Sequence, residues 1–387
     1  METATSLQQI QSSYIREILS AASDENVISL AGGLPDQATF PTHLMAPTLK
    51  KLADMPEVFQ YEQTAGYAPL LRFLSDEFSL PENHEALVCT GSQQGLDLLA
   101  RAYINPGDPI VMESPSYLGA MQVFGLVQAN ILTVSQTEGG PDLAELEQHF
   151  AASAPKLFYA VPDFHNPTGV CWSAKTRKKV AALCIQYQVT LVEDAPYRDL
   201  RFSGETLPYV SQYCPDLAIV LRSFSKTVSP GMRLGVVTGK ADFIQPMIKV
   251  KQGADLHTSV PMQALLLGLL QHEDFPDHLT QMRQLYRSRY QILSAQLQTQ
   301  LPEGCTLNTV DGGMFVWLKL PECDPFKLAT QLLTQGVAVV PSPVFYPPGS
   351  TEIKPALRLN FTNSTPEELT KAVSCLAETL SQYPGRK

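Results

Sequence analysis

The chain reads AIVLRSFSKT at residues 218–227, where an apolar run leads directly into a lysine. Because the run is almost continuously apolar, it predicts a strand over residues 218–223 that is buried on both faces of a sheet. Lys226 follows the end of that strand, and Arg233 lies seven positions after the lysine. The segment therefore offers an amine, a guanidinium and the hydroxyl groups of Ser223 and Ser225 within one short connection.

Similar runs recur along the middle of the chain, with helical patterns between them. The other predicted strands are residues 87–90, 109–113, 156–161, 189–194 and 233–237, and the helical patterns include residues 96–102 and 175–188. Residues 91–95 are interpreted as a turn. Strands that alternate with helices predict an α/β fold. We therefore expect a three-layer α/β/α large domain with a mostly parallel sheet.

The pattern changes after about residue 274 and indicates a second, smaller α+β domain. The elements predicted there are a long helix at 283–300, strands at 312–318 and 337–340, and a terminal helix at 365–382. The segment before the first strand–helix unit is expected to join this domain. We therefore predict a large domain at residues 46–280 and a small domain formed by residues 1–45 and 281–387.

Composition excludes several classes of protein. The net charge of −10 and the lack of a long lysine and arginine block argue against a nucleic-acid partner. No apolar run reaches the ~18 residues that would span a membrane, and the N-terminus shows no secretory signal. The seven cysteines are scattered and form no Cys-x-x-Cys pair, so we expect free thiols, no metal site and a cytoplasmic protein.

Polar residues follow several of the predicted strands, and ligands bind beyond the carboxyl ends of such strands. Ser92, Asp194 and Lys226 all lie at or just after a strand end. A buried carboxylate such as Asp194 is costly unless it meets a positive charge, which a protonated pyridine nitrogen could supply. The alternative is that Asp194 caps a helix N-terminus. Residues 91–95 open a helix, where backbone N–H groups bind anions or Ser92 is an ordinary cap.

Four further side chains are candidates for binding a ligand. Tyr117 could stack on a planar ring, and Tyr197 could reach a ring oxygen. Asn166 lies in an Asn-Pro-Thr-Gly turn, which is either a turn alone or an amide donor to a ligand. Arg358 lies in an alternating strand pattern, where it faces solvent or binds a carboxylate through its guanidinium fork. Together with Lys226, these groups suit pyridoxal 5'-phosphate (PLP), which forms a Schiff base with a lysine.

The chain resembles the fold-type I PLP-dependent aminotransferases of class I/II over nearly its whole length. It is most similar to the branch that contains 2-aminoadipate aminotransferases and kynurenine aminotransferase II. The resemblance rests on the motifs SLAGGLP at 29–35, QY at 60–61, GYAPL at 66–70, TGSQQ at 90–94, NPTG at 166–169, EDAPY at 193–197, SFSK at 223–226, KQGAD at 251–255, GGMFVW at 312–317 and LRL at 357–359.

The resemblance implies a role for each matching residue. Lys226 would bind PLP and move the proton between substrate and cofactor, Asp194 would pair with the pyridinium nitrogen, and Tyr197 would bind the ring 3'-oxygen. The other cofactor contacts would be Asn166 at the same oxygen, Tyr117 on the ring, and Ser92, Gln93, Ser223, Ser225 and Arg233 at the phosphate. Tyr61 would reach the phosphate of the neighbouring subunit, which implies a homodimer with shared active sites.

The implied reaction is transfer of an amino group from an L-amino acid to a 2-oxo acid such as 2-oxoglutarate. Arg358, with Asn166, would hold the substrate carboxylate, and Gly33 lies in the segment that covers the substrate. Arg16 is a candidate for a second carboxylate, as in 2-aminoadipate, or it is a helix residue paired with a nearby glutamate. Branched, aromatic and kynurenine-like substrates remain open.

Two other functions fit the same residues, and two positions depart from the family pattern. The site could run β-elimination or another PLP reaction, or the chain could be an amino-acid-sensing module of a regulator. Ala195 stands where many relatives carry an acidic residue, and His165 stands where many carry glutamine. We expect His165 to alter polarity near the ring.

Overall fold

A mixed eight-stranded sheet, flanked by helices, organises the central part of the chain. The computed structural model describes residues 2–8, 18 and 26–382. Its helices are α1 Thr5–Gln8, α2 Thr42–Leu52, α3 Ala68–Glu77, α4 Ser92–Tyr103, α5 Leu118–Leu126, α6 Leu143–Ser153, α7 Ala174–Tyr187, α8 Ala241–Ala254, α9 Val260–Leu270, α10 Phe275–Gln300, α11 Pro325–Thr334 and α12 Pro366–Ser381.

The strands form three sheets. They are β1 Ile28–Ser29, β2 His84–Cys89, β3 Pro109–Ser114, β4 Asn130–Thr137, β5 Gly140–Pro141, β6 Leu157–Ala160, β7 Thr190–Asp194, β8 Ala218–Ser223, β9 Gly235–Lys240, β10 Thr306–Leu307, β11 Phe315–Lys319, β12 Val337–Ala338, β13 Val340–Pro341 and β14 Ala356–Asn360. The large sheet has the order β2-β9-β8-β7-β6-β3-β4-β5. Strands β8, β7, β6, β3 and β4 pair in parallel, which confirms the predicted mostly parallel sheet.

Both faces of this sheet are buried, as the continuous apolar runs predicted. In β6, Leu157 and Tyr159 belong to one apolar cluster, while Phe158 and Ala160 belong to another. Successive side chains of a strand point to opposite faces, so the two clusters lie on the two sides of the sheet. The helices that complete the three layers pack against these clusters, and the predicted α/β/α arrangement is confirmed.

Strand β9 runs antiparallel to both of its neighbours, β2 and β8. Its reversed direction places its first residue, rather than its last, at the edge where β7 and β8 end. The connection from β8 to β9 therefore stays at that edge along its whole length. This is why Lys226 and Arg233, both in the connection, lie at the same edge as the end of β7.

Several predicted boundaries were wrong for local reasons. The strand predicted at 233–237 begins only at Gly235, because Arg233 has left-handed backbone angles (φ 53°, ψ 51°) that cannot continue a strand. The turn predicted at 91–95 is limited to Gly91, because α4 already begins at Ser92. Strand β4 was not predicted, because it lies next to the edge strand β5, Val134 alone among its residues is buried, and its second half is mostly polar.

The C-terminal part contains a four-stranded antiparallel sheet in the order β10-β11-β14-β13, as the α+β prediction required. The strand predicted at 312–318 begins later, at Phe315, because Gly312 forms an isolated bridge with Arg201 instead. The strand predicted at 337–340 is divided into β12 and β13, and β12 pairs in parallel with β1. This pairing holds the segment after residue 26 against the C-terminal part. Within the described residues, no helix combines the length and apolar character needed to cross a membrane.

Candidate active site

A cavity of about 510 Å³ opens at the edge where β7 and β8 end. It brings together twelve of the residues predicted from the sequence. They are Gly33, Ser92, Gln93, Tyr117, Asn166, Asp194, Tyr197, Ser223, Ser225, Lys226, Arg233 and Arg358. Tyr61 does not line this cavity and is 79% exposed. Arg16 lies outside the described residues.

Lys226 projects into the cavity from the connection that follows β8. Its Nζ donates a hydrogen bond to the Gly33 carbonyl oxygen at 2.6 Å. Burial lowers the pKa of Lys226 to about 8, and the positive charges of Arg358 and Arg233 act in the same direction. A lysine with this pKa is neutral in a sizeable fraction of molecules near neutral pH, so its amine can act as a nucleophile and as a base.

Asp194 ends β7 and presents one satisfied and one unsatisfied oxygen. Its Oδ2 accepts a hydrogen bond from the Tyr159 hydroxyl at 2.8 Å, while Oδ1 is buried without a partner. Burial raises the pKa of Asp194 to about 7, although the bond from Tyr159 acts in the opposite direction. An orphaned carboxylate oxygen in an apolar setting fits a cationic N–H group. The protonated ring nitrogen of PLP is such a group.

Tyr159 is a site residue that the sequence analysis missed, because it lies within an apolar strand. The β6–β7 register pairs Tyr159 with Val192, two residues before Asp194. Residues two apart on a strand share a face, so the tyrosine and the carboxylate point to the same side of the sheet. The alternation along these two adjacent strands was the signal that could have identified it.

The start of α4 forms an anion-binding wall of the cavity. No side chain caps this helix N-terminus, and its N-cap residue Gly91 has a φ of 77°. A Cβ at Gly91 would collide with Nη2 of Arg233, and a Cβ at Gly235 would lie 2.5 Å from the backbone nitrogen of Ser92. Glycine at both positions lets the guanidinium and β9 approach the open helix end. With the nearby serine hydroxyls, this arrangement suits a phosphate.

Tyr117 and Gln93 form a second wall. The Tyr117 hydroxyl donates to Oε1 of Gln93 at 3.1 Å, and Nε2 of Gln93 donates to the Gly119 carbonyl oxygen at 3.0 Å. Burial raises the pKa of Tyr117 to about 12, so the phenol stays neutral. The fixed aromatic ring provides a stacking surface for a planar ligand.

Asn166 connects the two halves of the site. Its Nδ2 donates to the Tyr197 hydroxyl at 3.2 Å, and its Oδ1 accepts from Nη1 of Arg358 at 2.8 Å. Arg358 is buried, with its guanidinium 4.3 Å from the centre of the Phe315 ring. Burial lowers the pKa of Arg358 to about 10. No carboxylate pairs with Arg358 among the described salt bridges, so a buried cation faces the cavity ready for an anion.

His165 does not line the cavity, and its expected effect on polarity near the ring stays a prediction. Its Nε2 lies 3.8 Å from Oε2 of Glu113, and neither atom has a hydrogen-bond partner. Its Nδ1 bonds to the Thr168 hydroxyl at 3.0 Å. Burial lowers the pKa of His165 to about 3 and raises that of Glu113 to about 7. The imidazole is therefore neutral and supports the Asn166 turn from behind.

The site contains the groups that PLP requires. It offers an amine, an unsatisfied buried carboxylate oxygen, an open helix N-terminus with an arginine, and an aromatic ring, all around one cavity. In the part of the chain that the structure describes, no three His, Cys, Asp or Glu side chains are grouped so that they could hold a metal ion.

Comparisons with known proteins agree with this arrangement. The family model for aminotransferase class I and II matches residues 25–376. The chain is 36% identical to the 2-aminoadipate transaminase of Thermus thermophilus, with 96% of this chain and 94% of that protein covered. It is 32% identical to aromatic-amino-acid aminotransferase 1 of Thermococcus litoralis, with 96% and 92% covered.

The solved structure of a similar protein contains a derivative of the PLP cofactor. The α-aminoadipate aminotransferase of Thermus thermophilus, complexed with N-(5'-phosphopyridoxyl)-L-leucine, has a TM-score of 0.91 and 34% identity, with 98% of this chain and 97% of that chain covered. The chain therefore belongs to the class I and II aminotransferase family and is a PLP-dependent enzyme that catalyses amino-acid transamination.

Proposed function

We propose that the enzyme transfers the amino group of an L-amino acid to 2-oxoglutarate, with 2-aminoadipate and other aliphatic or aromatic amino acids as donors. One observation carries this proposal: the amine of Lys226, the unsatisfied oxygen of Asp194 and the guanidinium of Arg358, which has no carboxylate partner among the described salt bridges, face one cavity. The names of similar proteins support the range of donors, since they include a 2-aminoadipate transaminase and an aromatic-amino-acid aminotransferase.

The residues would divide the cofactor between them. Lys226 would bind its aldehyde carbon, Asp194 its ring nitrogen, and Tyr197 with Asn166 its ring oxygen. The phosphate would be held at the start of α4 by Ser92, Gln93, Ser223, Ser225 and Arg233, and the ring would lie against Tyr117. When bound, PLP supplies an aldehyde for the substrate amine and an electron sink for the substrate α-carbon.

The chain's own groups would then manage protons and orientation. With the cofactor and substrate bound, the neutral Nζ of Lys226 would accept the proton from the substrate α-carbon and would carry it to the cofactor. Desolvation and two nearby guanidinium groups favour its neutral form. Asp194 would hold the protonated ring nitrogen of the cofactor, and that positive charge would favour the ionised form of the carboxyl group. Gly33 and Lys226 lie on the same wall of the cavity, where Nζ of Lys226 donates a hydrogen bond to the Gly33 carbonyl oxygen.

Arg358 and Asn166 would fix the substrate by its α-carboxylate. The guanidinium is held by Asn166 on one side and by the Ala31 carbonyl oxygen on the other. Its planar fork is therefore oriented before the substrate arrives, which reduces the entropy lost on binding. Carboxylate binding at this position would aim the α-hydrogen at Lys226.

We also propose a homodimer in which Tyr61 of one subunit reaches the phosphate of the other. In the single chain Tyr61 is 79% exposed and Phe59 is 65% exposed, and the Tyr61 ring contacts His257 edge-on at 5.8 Å. Large aromatic side chains exposed together are typical of an interface.

The proposal includes the division of the chain into a large domain at 46–280 and a small domain at 1–45 and 281–387. The seven free thiols support a reducing, cytoplasmic location.

A spectral titration of the purified protein tests the reaction and ranks the donors. The panel is 2-aminoadipate, glutamate, leucine, phenylalanine and kynurenine. We expect the visible band of lysine-bound PLP to be replaced near-stoichiometrically by that of pyridoxamine phosphate, and 2-oxoglutarate to reverse the change. Release of pyruvate and ammonia from serine or cysteine, without this conversion, would instead identify a β-lyase.

Two substitutions test the carboxylate contacts separately. Arg358→Lys keeps the charge but not the fork, so we expect KM for every amino acid in the panel to rise by about tenfold or more. Arg16→Ala is expected to reduce activity on 2-aminoadipate and glutamate while leucine is unaffected. Equal activity of the Arg16 variant on all donors would show that Arg16 does not read a second carboxylate. The exposed Arg101 provides a control substitution to alanine.

A further inference from the structure

The KQGAD motif at residues 251–255 lies outside the cavity, yet its side chains reach the turn that opens α4. Lys251 is completely buried in the last turn of α8, and Asp255 follows it by one helical turn. A buried ammonium group is costly unless every donor is satisfied. The charge of Lys251 must therefore be balanced by neighbouring groups, and these groups lie beside the candidate phosphate site.

All three hydrogen-bond donors of the Lys251 ammonium group are used. Nζ lies 2.9 Å from Oδ1 and 2.9 Å from Oδ2 of Asp255, and it donates to Oε1 of Gln94 at 2.9 Å. Nε2 of Gln94 donates to Oδ2 of Asp255 at 2.7 Å. Burial acts to raise the pKa of Asp255, but the bonds from Gln94 and Lys251 hold it below its ordinary value. The three side chains therefore form a closed, charge-assisted triangle.

This triangle is hydrogen-bonded to the backbone of Thr90, just before α4. Besides the lysine, Oε1 of Gln94 accepts a hydrogen bond from the backbone nitrogen of Thr90 at 2.7 Å. The carbonyl oxygen of Thr90 in turn accepts from Nη2 of Arg233 at 3.3 Å. One residue thus has its N–H held by the triangle and its C=O held by the arginine at the phosphate wall. Its position fixes how Gly91 and the first N–H groups of α4 face the cavity.

The helix start beside the triangle has no side-chain cap. A glutamine at the third helical position often folds back to cap the N-terminus. Here Oε1 of Gln94 accepts from the N–H of Thr90, one residue before the N-cap Gly91, while its amide also bonds Lys251 and Asp255, and no side chain caps the helix. The N–H groups at Ser92 and Gln93 are left for a ligand. We propose that Lys251, Asp255 and Gln94 are positioning residues that shape the phosphate-binding turn and so raise the affinity for the phosphate of the cofactor.

The proposal rests on the assignment of this wall as the phosphate site, and it is tested by comparing PLP with pyridoxal, which lacks the phosphate. The dissociation constants of both compounds are measured on the full-length, cofactor-depleted protein by absorbance and fluorescence titration. Lys251→Met keeps the side-chain stem and removes the charge, while Asp255→Asn keeps the shape and weakens the triangle. Lys249→Met is the matched control, because Lys249 is exposed on the same helix.

We expect Lys251→Met to raise the dissociation constant of PLP by about 10- to 100-fold, which corresponds to the free energy of one charged hydrogen bond. The dissociation constant of pyridoxal should stay within about twofold of its value in the unsubstituted protein. Asp255→Asn should shift the ratio of the two constants in the same direction, and Lys249→Met should not change it. Each ratio compares two ligands on one folded protein, so general destabilisation cancels. Asp255→Asn alone decides the matter if Lys251→Met does not fold.

Two results would overturn the proposal, and they are distinguishable. Arg233→Met must lower the PLP-to-pyridoxal preference if the phosphate lies at this wall. An unchanged preference in that variant would remove the site assignment and the proposal together. If Arg233→Met lowers the preference while Asp255→Asn and Lys251→Met leave it unchanged, or weaken both compounds equally, the site assignment stands and the positioning role is wrong.

Discussion

Asp194→Asn is expected to make the cofactor-free enzyme more stable while it makes the loaded enzyme less stable and nearly inactive. Burial raises the pKa of Asp194 from 3.8 to about 7. At about 1.36 kcal/mol per unit, ionised Asp194 costs the folded, cofactor-free protein about 4 kcal/mol at pH 8. An asparagine removes this charge, but its buried amide lacks an acceptor where Oδ1 now stands, which costs about 1–3 kcal/mol. The net gain is about 1–3 kcal/mol.

The stability difference between the Asp194→Asn variant and the natural protein should depend on pH. The pKa of Asp194 is raised in the folded state. The free-energy cost of ionising Asp194 in the folded protein is therefore absent below the unfolded-state pKa, grows as pH rises from about 4 to about 7, and is constant above about pH 7. The advantage of the asparagine variant should therefore shrink by about 2 kcal/mol between pH 8 and pH 5.5. Bound PLP supplies a positive ring nitrogen, which removes the cost in the natural protein alone, so the order of stability reverses on loading.

The assay is denaturant unfolding of both proteins at the two pH values, with and without PLP, together with kcat/KM. Loss of the counter-charge should lower kcat/KM by about 100- to 1000-fold. Asp199→Asn, the same change at an exposed carboxylate nearby, should alter the free energy of unfolding by no more than about 0.5 kcal/mol. A cofactor-free Asp194→Asn protein that is less stable at pH 8, or whose advantage does not depend on pH, would refute the reasoning.

Three further predictions concern other parts of the site. The rate of the amino-acid half-reaction under single-turnover conditions should rise with pH, reach half of its plateau near the Lys226 pKa of about 8 and level about one pH unit above it, because only the neutral form of Lys226 accepts a proton. Gly235→Ala should weaken PLP strongly in a binding titration, because its Cβ would meet a backbone atom at 2.5 Å, whereas Gly253→Ala in open space should stabilise α8 by up to about 1 kcal/mol. His165→Gln should leave the unfolding free energy unchanged or raised, since its amide can donate to Glu113, while His165→Leu should lower it by about 1–3 kcal/mol in denaturant unfolding.

The features predicted best from the sequence are the strands that are buried in the hydrophobic core. Strands such as β7 and β8 are buried on both faces, so their apolar runs identify them without knowledge of the fold. Strand β4 escaped prediction because its polar residues resemble a loop. In the site, Lys226 and Asp194 follow strand ends and were found by that rule. Tyr159 lies inside a strand, and only the pairing of β6 with β7 reveals that it faces the carboxylate.

Other features depend on contacts between distant segments and could not be obtained from local pattern. The left-handed backbone at Arg233 delays the start of the predicted strand to Gly235, and the guanidinium of Arg233 lies against Gly91 at the start of α4. The role proposed for Tyr61 requires a second subunit, and a single chain shows only that the ring is exposed. His165 was expected to alter polarity near the ring, but it lies outside the cavity, with its Nε2 3.8 Å from Oε2 of Glu113, a residue distant in the chain.

The reversed strand β9 also ties cofactor binding to the completion of folding. Gly235 touches the backbone of Ser92, so the phosphate wall is built from segments that are far apart in the chain and become neighbours only when β9 inserts between β2 and β8. Contacts of such high sequence separation form late and slowly. A chain in which β9 has not yet inserted lacks the wall altogether, so PLP can be captured with full affinity only by molecules whose central sheet is complete. Full-affinity binding of the cofactor therefore reports that β9 has paired with β2 and β8.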